Sequence, residues 1–223
     1  MNNSSTYCLI MAGGVGSRFW PLSTEENPKQ FLDILGTGKS LIQLTFDRFN
    51  QMVPEENIYV LTNLIYKNKV IEQLGISSDQ VLCEPQRKNT APCIAYATAK
   101  IHKKDPNAVL LVSPSDHLII NETQFFTDLK TGIQKAQDTN HLVTFGIKPN
   151  RPDTGYGYIE FDASESAINT VAKVKQFREK PDLSLAKSFI EQGNFYWNSG
   201  MFVWKSTTIM NSFKNHSNEL YTI

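Results

Sequence analysis

Residues 12–31 read AGGVGSRFWPLSTEENPKQF and directly follow the apolar run YCLIM of residues 7–11. That run has the length and composition of a buried strand. It opens into three glycines, Gly13, Gly14 and Gly16, and then into two cations, Arg18 and Lys29. Glycines after a strand let main-chain N–H groups approach a polyphosphate closely. Arginine and lysine supply positive charge to its oxygens. The combination points to an enzyme that handles a nucleoside triphosphate, with Ala12, Gly13, Gly14, Gly16 and Ser17 forming its phosphate loop.

Two rival motifs fit poorly. A dinucleotide fingerprint needs G-x-G-x-x-G, and Phe19 stands where the third glycine belongs. A P-loop needs G-x-x-x-x-G-K-[ST], and before Gly38-Lys39-Ser40 the first glycine is replaced by Asp33. Lys39 and Ser40 read better as a turn and a helix N-cap, with Leu41, Ile42, Phe46 and Phe49 on the buried side of the helix that follows.

Outward from this stretch, strand-like and helix-like segments alternate. Strands are expected at 7–11, 58–62, 80–84, 108–113 and 142–147, and helices at 40–52, 64–74 (stopped by Gly75), 90–102 and 122–138. The continuous apolar run AVLLVS at 108–113 suits a strand buried on both faces. The alternation argues for a parallel sheet covered by helices on both faces. Ligands of such sheets sit beyond the carboxyl ends of the strands. After Pro149 the character shifts to three longer strands, 156–161, 171–180 and 196–204, with a helix at 183–192 and another beginning near Ser206.

The 223 residues suffice for one domain with a substantial core, and 40% apolar with 20% charged residues is ordinary for a globular chain. Twenty-two basic residues balance 22 acidic ones, without a basic tract, so a nucleic-acid partner is not expected. Cys8, Cys83 and Cys93 lack C-x-x-C spacing; they read as small buried hydrophobes in a reducing compartment rather than as zinc ligands. No apolar stretch is long enough to span a membrane and no basic leader precedes one, so the expected location is cytoplasmic.

Taken with its continuation, the stretch carries many fixed positions: Gly13-Gly14-Val15-Gly16-Ser17-Arg18-Phe19-Trp20-Pro21-Leu22-Ser23, then Pro28-Lys29-Gln30-Phe31. It resembles the signature of the sugar nucleotidyltransferases, or pyrophosphorylases, in the form carried by the mannose-1-phosphate guanylyltransferases. Relatives that make dTDP- or UDP-sugars usually have Leu-x-Pro-x-Thr after the arginine, where this chain has Phe-Trp-Pro-Leu-Ser. The resemblance implies an α/β nucleotidyltransferase fold: a Rossmann-like, mostly parallel sheet flanked by helices, with a mixed-sheet sugar-binding extension. Residues 1–223 would be one catalytic domain, with a nucleotide-binding half at 1–148 and a sugar-binding half at 149–223. Family members continue further, so the chain is expected to hold most but not all of that domain.

The reaction implied is GTP plus α-D-mannose 1-phosphate giving GDP-mannose and diphosphate. Two anionic substrates must meet, so the demand is for charge screening and geometry more than acid–base chemistry. By the resemblance, Arg18 holds the departing β/γ phosphates, and Lys29 lies against the α-phosphate or the sugar phosphate. Asp116, in Ser115-Asp116-His117, follows the buried strand and is placed to hold Mg²⁺, which commonly takes one or two protein carboxylates besides phosphate oxygens. The second family aspartate would lie downstream of Ile223. His117 reads as a structural hydrogen-bonding residue.

The family reads its purine with the loop spanning 84–92. Glu84 and Asn89 are the candidates, while Asn89 or Thr90 equally fits a helix N-cap, and Arg87 and Lys88 either line the triphosphate path or face solvent. Gly157 in Thr154-Gly155-Tyr156-Gly157-Tyr158, Glu179 and Lys180 in Glu179-Lys180-Pro181, and Asn198 in Asn198-Ser199-Gly200 resemble the sugar-contacting motifs in family order. A homodimer is compatible with the family, whose dimer contacts often use the C-terminal region. The competing readings are a nucleotide-sugar binding or regulatory module without turnover and a pyrophosphorylase for another nucleotide or sugar 1-phosphate.

Overall fold

The computed structural model describes residues 5–14, 16, 19–84, 90–165 and 171–221. In chain order the main elements are β1 (Thr6–Met11), α1 (Leu41–Asn50), β2 (Ile58–Asn63), α2 (Lys67–Leu74), β3 (Val81–Glu84), α3 (Thr90–Lys104), β4 (Val109–Pro114), α4 (Glu122–Asp138), β5 (Val143–Ile147), β6 (Tyr158–Phe161), β7 (Val174–Arg178), α5 (Leu183–Gln192), β8 (Phe195–Lys205), α6 (Ser206–His216) and α7 (Asn218–Tyr221).

Among the described residues the eight strands form one sheet in the order β3-β2-β1-β4-β8-β6-β7, with β5 pairing β8. The alternating segments predict a parallel sheet, and the ladders joining β3, β2, β1 and β4 are parallel throughout. The fifth strand departs from that expectation, because β5 lies antiparallel to β8 and not beside β4. β8 is long enough to serve several neighbours. Its Val203 pairs both Leu111 of β4 and Val143 of β5, and its Trp197 pairs both Tyr158 of β6 and Ile147 of β5. β4 and then β6 therefore follow one edge of β8, and β5 follows the other.

Strand alternation sends β1 side chains into two cores. Cys8 and Ile10 face a cluster with Ile42, Phe46 and Phe49 of α1, Val70 of α2 and Leu129 and Ile133 of α4. Tyr7 and Leu9 face a second cluster with Ile94, Ala97 and Ile101 of α3 and Trp204 and Ile209. Burial of such side chains contributes about 1.5–3 kcal/mol each, and Leu9→Ala or Leu111→Ala is expected to cost about 2–5 kcal/mol. A third cluster, Tyr158, Ala186, Phe189, Phe195 and Trp197, seats α5 on the antiparallel end. Local signals set the helix ends. Ser40 caps α1 in a reciprocal capping box with Gln43, and Asp182 caps α5. Lys39 pairs with exposed Asp47 at 2.7 Å, so Gly38 and Lys39 form a surface turn ahead of the buried Ser40 cap.

Candidate active site

β1 and β4 lie side by side, and the chain leaves both at the same end of the sheet. The Ser115 N–H donates to Met11 O at 3.1 Å, so the loops that follow the two strands start in contact. Buried side chains shape the glycine-rich loop from beneath. Gln30, only 2% exposed, donates through its amide to Ala12 O at 2.9 Å and to Gly14 O at 2.8 Å. Thr62 at the end of β2 donates to the same Ala12 carbonyl at 3.0 Å. Gln30 is held in turn because Phe31 packs against Tyr66, ring centroids 5.6 Å apart, in a short 3-10 turn at Lys29–Phe31.

That turn lifts Lys29 toward β4, where its ammonium pairs directly with the Asp116 carboxylate. The same ammonium lies 5.4 Å from the centre of the Phe19 ring. Gly16 has φ +69, and a Cβ there would come within 2.8 Å of Lys29 Cγ, so position 16 requires glycine both for its conformation and to admit the lysine stem. No described atom lies within 4 Å of a Cβ built at Gly13 or Gly14, and both residues are exposed. Ala12, in contrast, is buried and extends the β1–β2 ladder through an N–H bond to Leu61 O at 2.7 Å.

Asp116 is positioned by α1 as well as by β4. The buried Thr45 hydroxyl donates to Ser115 O at 3.1 Å, and buried Arg48 donates from Nε to Glu122 Oε1 at 2.9 Å at the start of α4. Burial holds the His117 imidazole below its ordinary pKa; neighbouring Asp116 opposes this, and the cations Arg48 and Lys29 reinforce it. Among the described residues no three His, Cys, Asp or Glu side chains gather into a metal cage. A single partly exposed carboxylate beside an open glycine loop fits Mg²⁺, which keeps several waters and shares phosphate oxygens.

Where β8 joins β6, three sugar-site candidates meet. A Cβ at Gly157 would lie 3.0 Å from Glu179 Oε2 and 3.7 Å from Asn198 Cβ, so the glycine permits this close approach. Asn198 N–H donates to Gly157 O at 2.8 Å, and the Asn198 side-chain oxygen accepts from Gly200 N–H at 3.0 Å. Lys180, in a left-handed conformation with φ 37, pairs with Glu179 at 3.1 Å in an exposed position. Between Thr144 and Gly146 of β5 the register with β8 shifts. Gly200 lies within that irregularity, where its Cβ position is 3.5 Å from Pro114 Cγ. Since Pro114 precedes Asp116 by two residues and Gly200 follows Asn198 by two, the end of β4 connects the two groups of candidates.

Arg18, Ser17 and Asn89 lie outside the described residues, as do Arg87, Lys88 and the side chains of Glu84 and Thr90. Glu84 closes β3 and Thr90 opens α3. Sequence reasoning quoted Gln30 inside the motif without a role, and it missed Thr45, Thr62 and Arg48. The available signal was their polarity at positions that the surrounding pattern buries. A separate cleft of about 850 Å³ between α4, β5 and β8 has only His117 and Ser199, the chain neighbours of Asp116 and Asn198, in common with the site segments.

The family model described as nucleotidyl transferase matches residues 7–223. The chain is 40% identical over 213 residues to the mannose-1-phosphate guanylyltransferase of Salmonella montevideo, an alignment covering 92% of this chain and 44% of that protein. It is 41% identical over 202 residues to the mannose-1-phosphate guanylyltransferase of Klebsiella pneumoniae, covering 89% of this chain and 42% of the relative. A solved structure from Thermus thermophilus, described as a mannose-1-phosphate geranyltransferase, superposes with a TM-score of 0.88 at 31% identity, covering 98% of this chain and 62% of that one. The chain thus spans less than half the length of these curated relatives.

Proposed function

The chain belongs to the nucleotidyl transferase family, and from that premise we propose that it transfers GMP from GTP to α-D-mannose 1-phosphate, giving GDP-mannose and diphosphate. The observation that carries the proposal is the meeting of Lys29 and Asp116 beside the open backbone at Gly13 and Gly14. A cation, a carboxylate and accessible main-chain N–H groups are what a phosphoryl-transfer site of this kind needs. The names of the guanylyltransferase relatives favour guanosine and mannose over other pairs.

In this reading the half at 1–148 binds the nucleotide and the half at 149–223 binds the sugar. Gly13, Gly14 and Gly16 offer N–H groups to the triphosphate, with Ala12 and Ser17 completing the loop, and Arg18 holds the β/γ phosphates that leave. Glu84, Asn89 and Thr90 line the guanine end. Glu179 and Asn198 orient the mannose hydroxyls beside Gly157, and Lys180 turns to the sugar phosphate. An oxygen of that phosphate attacks the α-phosphorus in line with the departing diphosphate. Lys29 lies against the α-phosphate and offsets the charge of the crowded transition state. Asp116 is the carboxylate that holds Mg²⁺, whose charge, when bound, neutralises phosphate oxygens. A cytoplasmic location and a homodimer belong to the same proposal; among the described residues no helix is long and apolar enough to cross a membrane.

The test is diphosphate release from GTP plus mannose 1-phosphate, with and without Mg²⁺, run beside other nucleoside triphosphates and glucose or N-acetylglucosamine 1-phosphate. Mg²⁺-dependent release with the GTP–mannose pair in clear preference is the expected result. Binding of GDP-mannose without any release would instead favour a binding module, and preference for another pair would replace the substrates proposed.

A further inference from the structure

The ion pair between Lys29 and Asp116 joins the two side chains that the proposed reaction asks to act separately, one on a phosphate and one on a metal. Both are about a quarter exposed, at 27% and 22%, so the pair is screened but not freely hydrated. Among the described residues Lys29 is the one cation at ion-pair distance from Asp116. Its position is built rather than incidental. The stem runs against Gly16, the ammonium lies over Phe19, and the turn that carries it is fixed by the buried Gln30 amide and by Phe31.

A divalent ion on Asp116 needs the same carboxylate that the ammonium now neutralises. Two cations on one carboxylate repel each other, and no further carboxylate joins the pair into a cage among the described residues. A triphosphate changes that balance, because its oxygens accept an ammonium and supply further ligands to the metal. We infer that Lys29 is a stand-in cation: before nucleotide binds it occupies Asp116 and keeps a divalent ion off, and it transfers to phosphate when nucleotide and metal arrive together. The inference rests on Asp116 being the metal-holding carboxylate of the proposed reaction.

The experiment measures Mn²⁺ binding to the nucleotide-free chain by the electron paramagnetic resonance signal of the free ion. It compares wild type, Lys29→Met, Lys29→Gln and Lys29→Met combined with Asp116→Asn. The expected result is weak binding in wild type, binding roughly two- to fivefold tighter in both lysine variants, and loss of that gain in the double variant. Lys29→Gln guards against a folding defect peculiar to methionine, and thermal melting within a few degrees of wild type qualifies each protein. Equal Mn²⁺ affinity in wild type and both lysine variants, whether measurable or not, overturns the stand-in role. Tighter binding that survives Asp116→Asn overturns the metal assignment itself, and the proposed mechanism with it.

Discussion

Lys29 and Asp116 hang from loops beyond β1 and β4, whereas Asn198 belongs to β8 and is bonded through its own backbone to Gly157. At the parallel end, Lys29 and Asp116 stand beyond the strands that carry their loops. Their geometry depends on buried side chains from three elements: Gln30 of the 3-10 turn and Thr62 of β2 under the glycine-rich loop, and Thr45 of α1 under Ser115. At the antiparallel end, Asn198 lies within β8, Gly157 directly precedes β6 and Glu179 directly follows β7, and the missing Cβ at Gly157 permits their close approach. The first arrangement carries its charged groups on turns, and the second ties its amide into a strand by backbone hydrogen bonds. The contrast suits the proposed reaction, in which the loop end would handle the triphosphate and the strand end the sugar.

The strongest test of the contrast is charge removal at the loop end. Asp116→Ala, Lys29→Ala and Arg18→Ala are each expected to lower turnover by on the order of 100-fold or more with melting temperatures within a few degrees of wild type. A steady-state assay showing ordinary turnover in any of them breaks its assigned role. Removing the support should cost less activity but more stability. Gln30→Ala leaves the Gly14 carbonyl without its buried donor and is expected to lose about 1–3 kcal/mol by denaturant titration. Gln30→Glu should do no better, because an ionised carboxylate cannot donate to either carbonyl.

At the strand end, Gly157→Ala pushes a methyl group toward Glu179 and should raise KM for mannose 1-phosphate about tenfold, near 1.4 kcal/mol, with KM for GTP unchanged. A matching rise for GTP would dissolve the division between the two ends. Thr45→Val removes one buried hydroxyl donor and is expected to shift stability by about 1 kcal/mol, read from the denaturant midpoint.

Much of this was legible beforehand where the signal is local. Helices Glu122–Asp138 and Leu183–Gln192 match the expected bounds, because apolar spacing and the Asn121 and Asp182 caps all lie within a few residues of one another. Ser40 was readable as a cap and Gly75 as a stop for the same reason. The partner of β5 was not readable. Apolar period and length reveal that 143–147 is a strand but not which neighbour it joins, and that neighbour, β8, comes some fifty residues later. Gln30 was equally hidden, since it stands in a motif whose lysine accounts for the attention, and its task emerges only when the loop folds back onto Ala12 and Gly14.

By itself the order of residues determined the family: a strand, three glycines and two cations in close succession, followed by the motifs after Pro149, carry the nucleotidyl transferase signature that the family model matches over residues 7–223. Only the tertiary structure decided that Lys29 rests on Asp116 and that Gly157 meets Glu179 and Asn198. Glycine conformation, capping and apolar period act over a few residues and are written locally. Contacts between distant segments depend on strand order and register, which are selected by burying both faces of the sheet at once.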